Sequence, residues 1–344
     1  MNKANLAIII VSYNTCDLLR NCLGSLQRAA ASEPQLTLQV IVVDNASHDD
    51  SAAMVKQEFP LVHLIDSAEN LGFTRANNLA MRRLGFAGEA MSSPDWESER
   101  EGFQPPDFVL LLNPDTTVEA SALGQMVHCL QSSPAAGGCG AHLRYGDGTF
   151  QHGAFHFPTL AQVALDLFPL HQIRGMHRAY NGKLNGRYAQ TLWKGATPFP
   201  VDFVLGAALM VKAEVIRQVG LLDEGFFMYC EEMDWCLRIQ KAGWQILAVP
   251  SAHIIHYEGR SSRQVRWASF TRLWKSRLRF YEKHGDRYPT YERLAIHALL
   301  RSALLWRKRD AQQRFAQGKV DGVSLAAEIA AYNEVLKSVV EGSR

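Results

Sequence analysis

Between residues 6 and 112 the sequence switches repeatedly between strand-length aliphatic runs and stretches with helical spacing. Residues 6–12 (LAIIIVS) form a continuous aliphatic run rich in β-branched side chains, the pattern of a strand buried on both faces, and 38–43 (LQVIVV) reads as a second buried strand. Between them Leu18, Leu19, Cys22, Leu23 and Leu26 fall on one face of a helix over 14–31. The same logic predicts a helix over 49–59, a strand over 62–66, a helix over 74–84 and a strand over 107–112. A βαβα order with short connections implies an α/β fold: a mostly parallel central sheet flanked by helices.

Ligands of such sheets bind beyond the carboxyl ends of the strands. Those ends read Ser12-Tyr13-Asn14, Asp44-Asn45 and Asn113-Pro114-Asp115, so polar residues gather along one edge. No GxGxxG follows the first strand and no GxxxxGK[ST] occurs, which argues against dinucleotide-dependent dehydrogenases and P-loop NTPases. Residues 85–106 read as a polar surface insertion and 142–200 as an irregular region. Further on, a strand is expected over 203–211, helices over 213–219 and 229–242, a strand over 245–250, and helix from 263 onward. This predicts a domain over 1–262 and a basic helical extension over 263–344.

Composition narrows the class. The 344 residues are 47% apolar and 20% charged, which excludes a disordered or fibrous chain. No apolar run approaches the ~18–20 residues of a spanning helix. The opening MNKANLAIIIVSYN reads as a first strand rather than a signal peptide. Cys16, Cys22, Cys129, Cys139, Cys230 and Cys236 form no CxxC pair, and free thiols in a reducing cytoplasm are expected. The net charge of +2 hides an asymmetry. Residues 260–314 carry fifteen Lys/Arg against four Asp/Glu, whereas 1–259 carry eighteen against twenty-six.

Several residues suit chemistry, and each has a plainer alternative. Asp44 closes a buried strand, where a carboxylate could bind a ligand or simply order a turn. Asn113-Pro114-Asp115 is good turn chemistry and also offers an anionic and an amide oxygen to a hard cation. Glu231, Glu232 and Asp234 crowd the start of a helix, where acid favours the dipole. Their aromatic neighbours Phe226, Phe227, Tyr229 and Trp235 would raise a carboxylate pKa and fit it for general-base work. Asp234 and Arg238 are spaced i, i+4 for an ion pair. His256 follows a strand, and a lone histidine is as readily structural as ligating.

The segments VSYN (11–14), VVDNAS (42–47), NLGFTRANN (70–78), NPD (113–115), GLLDEGFFMYCEEMDWCLR (220–238) and HYEGRS (256–261) occur together in order. This set resembles family 2 glycosyltransferases, most of all their rhamnosyltransferase-like members, over roughly residues 5–285. The resemblance implies a GT-A fold and inverting transfer from a nucleotide-sugar donor (dTDP- or UDP-sugar, dTDP-rhamnose being the specific expectation). A divalent ion, Mg2+ or Mn2+, is implied with it. It puts Ser12, Tyr13, Asn14 and Asp44 at the nucleobase, and Asn70, Gly72, Arg75 and Asn78 along the donor. Gly206, in the small-residue run 206–208, reads either as close backbone approach beneath donor or acceptor or as simple packing. Asn113, Asp115 and His256 are implied at the metal, and the guanidinium forks of Arg260 and Arg263 could help hold the diphosphate. Glu232 stands where the family carries its base, with Glu231 and Asp234 beside it and Asp234 as the fallback.

A glycan or lipid-linked acceptor in cell-surface polysaccharide synthesis follows from the same resemblance, with a cytoplasmic location at the inner face of the cell membrane. The segment 263–314 interleaves Trp267, Phe270, Trp274, Phe280, Tyr281 and Trp306 with Arg and Lys, which suits an anionic membrane surface. Aromatics packed inward with snorkelling Arg heads are the alternative, and no nucleic acid is expected. Two other readings stay open: a non-catalytic nucleotide-sugar-binding or assembly protein, and a nucleotidyltransferase.

Overall fold

The aliphatic run at 6–12 lies inside β1 (Ala4–Ser12), whose side chains alternate between two apolar layers. Leu6, Ile8 and Ile10 enter one core and Ala7, Ile9 and Val11 the other. A strand so placed has no polar face to offer water, which explains its unbroken hydrophobicity. The structure, a computed structural model, describes residues 3–86, 102–168, 183–257 and 266–341.

After β1 come α1 (Cys16–Ser32), β2 (Leu36–Asp44), α2 (Ser51–Glu58), β3 (His63–Asp66), α3 (Gly72–Arg83) and β4 (Phe108–Leu112). Next are β5 (Thr116–Val118), α4 (Ala122–Ser132), β6 (Ala136–Arg144), β7 (Ala154–Phe155) and α5 (Leu160–Leu167). Then follow β8 (Phe199–Val201), β9 (Phe203–Val204), β10 (Ala208–Lys212), α6 (Ala213–Val219), α7 (Glu231–Lys241) and β11 (Gln245–His256). Three helices complete the chain: α8 (Arg266–Lys283), α9 (Thr290–Ala316) and α10 (Gly322–Glu341).

The main sheet runs β3-β2-β1-β4-β10-β6-β11-β5, with β8 also paired to β11. β1 to β4 are mutually parallel, as are β6 and β11, and β10 sits antiparallel between β4 and β6. In β2-β1-β4 order the carboxyl ends bring Asp44, Ser12 and Asn113 to one edge, with Ser12 directly opposite Asp44.

The chain divides into two compact units. The sheet unit comprises 1–156, 188–227 and 231–261. The helical unit comprises 157–187, 228–230 and 262–344. In the helical unit α8 turns Trp274, Leu278, Phe280 and Tyr281 inward, and α9 contributes Ile296, Leu300 and Leu304. Arg277 pairs with Asp166 at 2.7 Å, and Arg307 donates to the Asp166 and Leu167 carbonyls, tying α5 to these helices.

Three expectations are corrected. The strand over 203–211 is broken into β9 and β10, because 205–207 leave the ladder and the Ala207 carbonyl accepts from the Asn113 amide. The helix expected from 229 begins at Glu231, since Tyr229 and Cys230 hold φ of 71° and 67°. The region 142–200 is not wholly irregular: it holds the end of β6, β7, α5 and the start of β8. Most of the surface insertion, 87–101, lies outside the described residues, although Phe86 and Phe103 beside it pack on the sheet unit.

Candidate active site

Asp44 is buried at the end of β2. Its Oδ2 accepts the Ser47 amide at 2.9 Å, the turn role open to it, while Oδ1 is buried without a hydrogen-bond partner. A buried carboxylate oxygen left in that state costs free energy unless a ligand donor meets it. Ser12 faces it across the strand pair and bonds Thr15 at 2.8 Å. Asn14 holds φ of 53°, donates its backbone amide to Ser47 Oγ at 3.0 Å and accepts the His48 amide on its side-chain oxygen at 2.7 Å. Two segments are thereby clamped around the strand ends, with Tyr13 exposed above them.

Asn45 organises the next segment. It donates to Asn70 Oδ1 and the Gly72 carbonyl and accepts the Leu71 amide at 2.8 Å. Gly72 has φ of 74°, and a Cβ there would fall 2.5 Å from the Phe227 carbonyl, so only glycine fits. Asn78 is buried and commits its amide to Leu222 and Glu224. Its visible task is to pin α3 to the 220–227 loop. Arg75 is exposed on the same helix.

The Asn113-Pro114-Asp115 turn meets the end of β11. His256 Nε2 lies 3.4 Å from Asp115 Oδ1 and 3.4 Å from Asn113 Nδ2. Its other nitrogen, Nδ1, is 3.2 Å from Gln151 Oε1. With Gln151 Oε1 as the acceptor, Nδ1 carries a proton, and Nε2 faces Asp115 Oδ1 and the Asn113 amide. Asp115, His256 and Gln151 are all buried. A proton on Nε2 or a divalent ion would each satisfy the carboxylate oxygen at this distance. This donor set suits a hard divalent ion with positions left for ligand oxygens. No group of three or more His, Cys, Asp or Glu capable of closing a metal cage occurs among the described residues. Gln151 was missed by the sequence reading, and no local pattern marks it. Arg260 and Arg263, with Gly259 and Ser261 of the same segment, lie outside the described residues.

Glu231, Glu232 and Asp234 open α7, all buried. Asp234 is bound by Arg238 at 2.8 Å, and that guanidinium also donates to the Val219 and Leu221 carbonyls. Burial, reinforced by the neighbouring Glu232 charge, pushes the Glu231 carboxyl well above the usual carboxylate range. Gly206 lies against Glu232: a Cβ on it would sit 3.6 Å from the Glu232 Cβ. Gly206 and Ala207 adjoin Asn113, so the acidic helix and the NPD turn approach the same backbone.

The mixed sheet with carboxylate-bearing strand ends, a His–Asp pair and a buried acidic helix start defines a glycosyltransferase of the GT-A type. The chain belongs to the glycosyltransferase-like family 2, whose family model matches residues 4–283. It is 27% identical over 303 residues to the N-acetylglucosaminyl-diphospho-decaprenol L-rhamnosyltransferase of Mycobacterium tuberculosis, covering 88% of this chain and 91% of that one. It is 26% identical over 278 residues to the rhamnosyltransferase WbbL of Escherichia coli K12, covering 79% and 91%. Among solved structures, the mannosyltransferase PcManGT from Pyrobaculum calidifontis in complex with GDP-Man and Mn2+ superposes with a TM-score of 0.55 at 14% identity. That match covers 100% of this chain and 88% of the other. GalNAc-T7 with UDP, GalNAc and Mn2+ gives 0.51 at 14% identity, covering 99% and 56%. At such identities the structural likeness speaks to the fold.

Proposed function

We propose that the protein is an inverting, metal-dependent rhamnosyltransferase that uses dTDP-rhamnose and a glycan or lipid-linked acceptor in cell-surface polysaccharide synthesis. The observation that carries the metal-dependent donor site is the buried His256 Nε2 and Asp115 Oδ1 held 3.4 Å apart, with Gln151 on the other imidazole nitrogen. Asp44 Oδ1, with Ser12, Tyr13 and Asn14 around it, would take the nucleobase donors. Asp115 and His256 would hold a Mg2+ or Mn2+ ion, with Asn113 supplying its amide oxygen if the amide is turned. That ion would offset charge on the departing diphosphate. Glu232 would accept the proton of an acceptor hydroxyl as that oxygen bonds to the anomeric carbon and the bond to the nucleoside diphosphate breaks. Two findings support Glu232 for this role: Asp234 is bound by Arg238, and burial together with the Glu232 charge raises the Glu231 carboxyl above the usual carboxylate range. The rhamnose and the lipid-linked acceptor are proposed from the activity named for the M. tuberculosis relative. With such an acceptor, the basic segment 263–314 would contact an anionic membrane from the cytoplasmic side.

Thermal unfolding with dTDP, UDP and GDP, each with Mn2+ and again with EDTA, tests the donor site. A ligand at 100 times its Kd adds about 2.7 kcal/mol. The expected result is a Mn2+-dependent rise with dTDP, followed by rhamnosyl transfer from dTDP-rhamnose in a turnover assay. No rise with any nucleotide would overturn the reading and favour a non-catalytic assembly protein.

A further inference from the structure

α9 (Thr290–Ala316) carries apolar side chains on two opposite faces. One face is spent in the helical unit, where Ile296, Leu300, Ala303 and Leu304 are fully buried against α5 and α10. A surface helix ordinarily turns a polar face to water opposite such a stripe. Here the outer face instead carries Tyr291, Leu294 and Leu305, at 75%, 53% and 43% exposure, with Trp306 at 46% on its margin. With ~3.6 residues per turn, positions 291, 294, 298, 301, 302, 305 and 309 fall within an arc of about 100°. That stripe is about 27 Å long.

The charges on the arc have one sign. Arg301 and Arg309 lie on it, both exposed. The acids of the helix, Glu292 and Asp310, fall well outside it, and Asp310 is paired with Arg314 at 2.8 Å. α8, which shares the basic-aromatic composition, behaves otherwise. Its Trp274, Phe280 and Tyr281 are buried, and Trp267 and Phe270 stack edge-on with Tyr332 of α10. For α8, then, inward packing accounts for the aromatics. Exposed cations occur on both helices, but the exposed large apolar side chains are on α9.

We propose that this outer face of α9 lies on an anionic lipid bilayer surface. Tyr291, Leu294, Leu305 and Trp306 enter the boundary between headgroups and acyl chains, and Arg301 and Arg309 meet lipid phosphates. Bulky apolar side chains between cations that have no ion-pair partner among the described residues, with no acid on the face, are what an interfacial helix needs. No helix among the described residues is long and apolar enough to cross a membrane, so the contact is one of lying on the surface. The proposal rests on the membrane contact included in the proposed function and names the element that makes it; it does not depend on the donor chemistry.

The test is co-sedimentation of the full chain with phosphatidylcholine vesicles, with and without phosphatidylglycerol. Binding is expected with phosphatidylglycerol only and should weaken with added salt. The Arg301→Glu/Arg309→Glu variant should lose roughly thirtyfold or more in affinity. Leu294→Ser/Leu305→Ser should also bind more weakly. Both variants should keep the wild-type unfolding midpoint and its shift with nucleotide, which separates loss of the face from loss of the fold. Absence of binding to anionic vesicles, or undiminished binding by both variants, overturns the proposal. So does concentration-dependent dimerisation abolished by the leucine variant, which makes the face an interface between copies. Vesicle binding without any nucleotide shift would leave this proposal standing and remove the transferase reading.

Discussion

Gln151 reaches His256 from 105 positions away in the sequence and decides which imidazole nitrogen faces Asp115. Such outer partners typically contribute 10–100-fold to metal affinity. Gln151→Leu should therefore raise the Mn2+ concentration needed for the nucleotide-dependent midpoint shift by about that factor, with the fold intact. Glu232→Gln should lower kcat by about 10²–10⁴-fold while leaving the nucleotide shift unchanged, because a missing general base does not weaken donor binding. A pH effect follows from Glu231, whose carboxyl is raised above its ordinary 4.5 by burial and then by the Glu232 charge. Above the ordinary value the native state still holds a proton that the unfolded chain has released. Stability from this group therefore falls as pH rises from there towards the raised value. Denaturant titrations of Glu231→Gln should show its stability relative to wild type increasing with pH across that window. A constant difference would show that Glu231 titrates normally.

At the scale of elements, the site depends on backbone that ordinary propensity disfavours. Tyr229 and Cys230 both adopt left-handed conformations immediately before α7, at about 1–2 kcal/mol per residue for L-amino acids. This delays the helix to Glu231, so that the two glutamates occupy its first turn. Gly72 starts α3 against the Phe227 carbonyl, and Gly72→Ala should destabilise the fold through both φ and overlap, read as a lower unfolding midpoint. Asp234 binds α7 through Arg238 to the carbonyls at the end of α6. Asp234→Ala should cost about 3–5 kcal/mol, the penalty of stranding a mostly buried partner charge. That change would appear in denaturant unfolding, in contrast to the kinetic loss expected for Glu232→Gln.

For the molecule as a whole, a boundary placed by composition alone at 262 divides one packed unit. α5 carries Val163, Leu165 and Leu167 into the same helical unit as α8 and α9, and Tyr288 donates to the Pro158 carbonyl at 3.0 Å. A chain ended after residue 262 would expose that apolar surface and leave Asp166 without Arg277. It should therefore aggregate or melt well below the full chain, as size-exclusion chromatography and thermal unfolding would reveal. Equal stability of the shortened chain would show that α5 needs no helical partner.

Hydrophobic period and strand length are local properties, so the alternation over 6–112 was enough to read β1, β2 and β4 and the helices between them. Strand ends are local too, and this is why Asp44 and the NPD turn stood out as candidates before any contact was known. Motif order likewise carried the family. Tertiary structure alone decided how those candidates are used. Asn78 proved to hold a loop, Gln151 to orient His256, and 205–207 to leave the sheet beside Asn113. It also separated the inward-packed aromatics of α8 from the exposed face of α9, two helices that both mix aromatic and basic residues. Each of these outcomes depends on a partner distant in sequence, and no local period or composition encodes which distant group a side chain will meet.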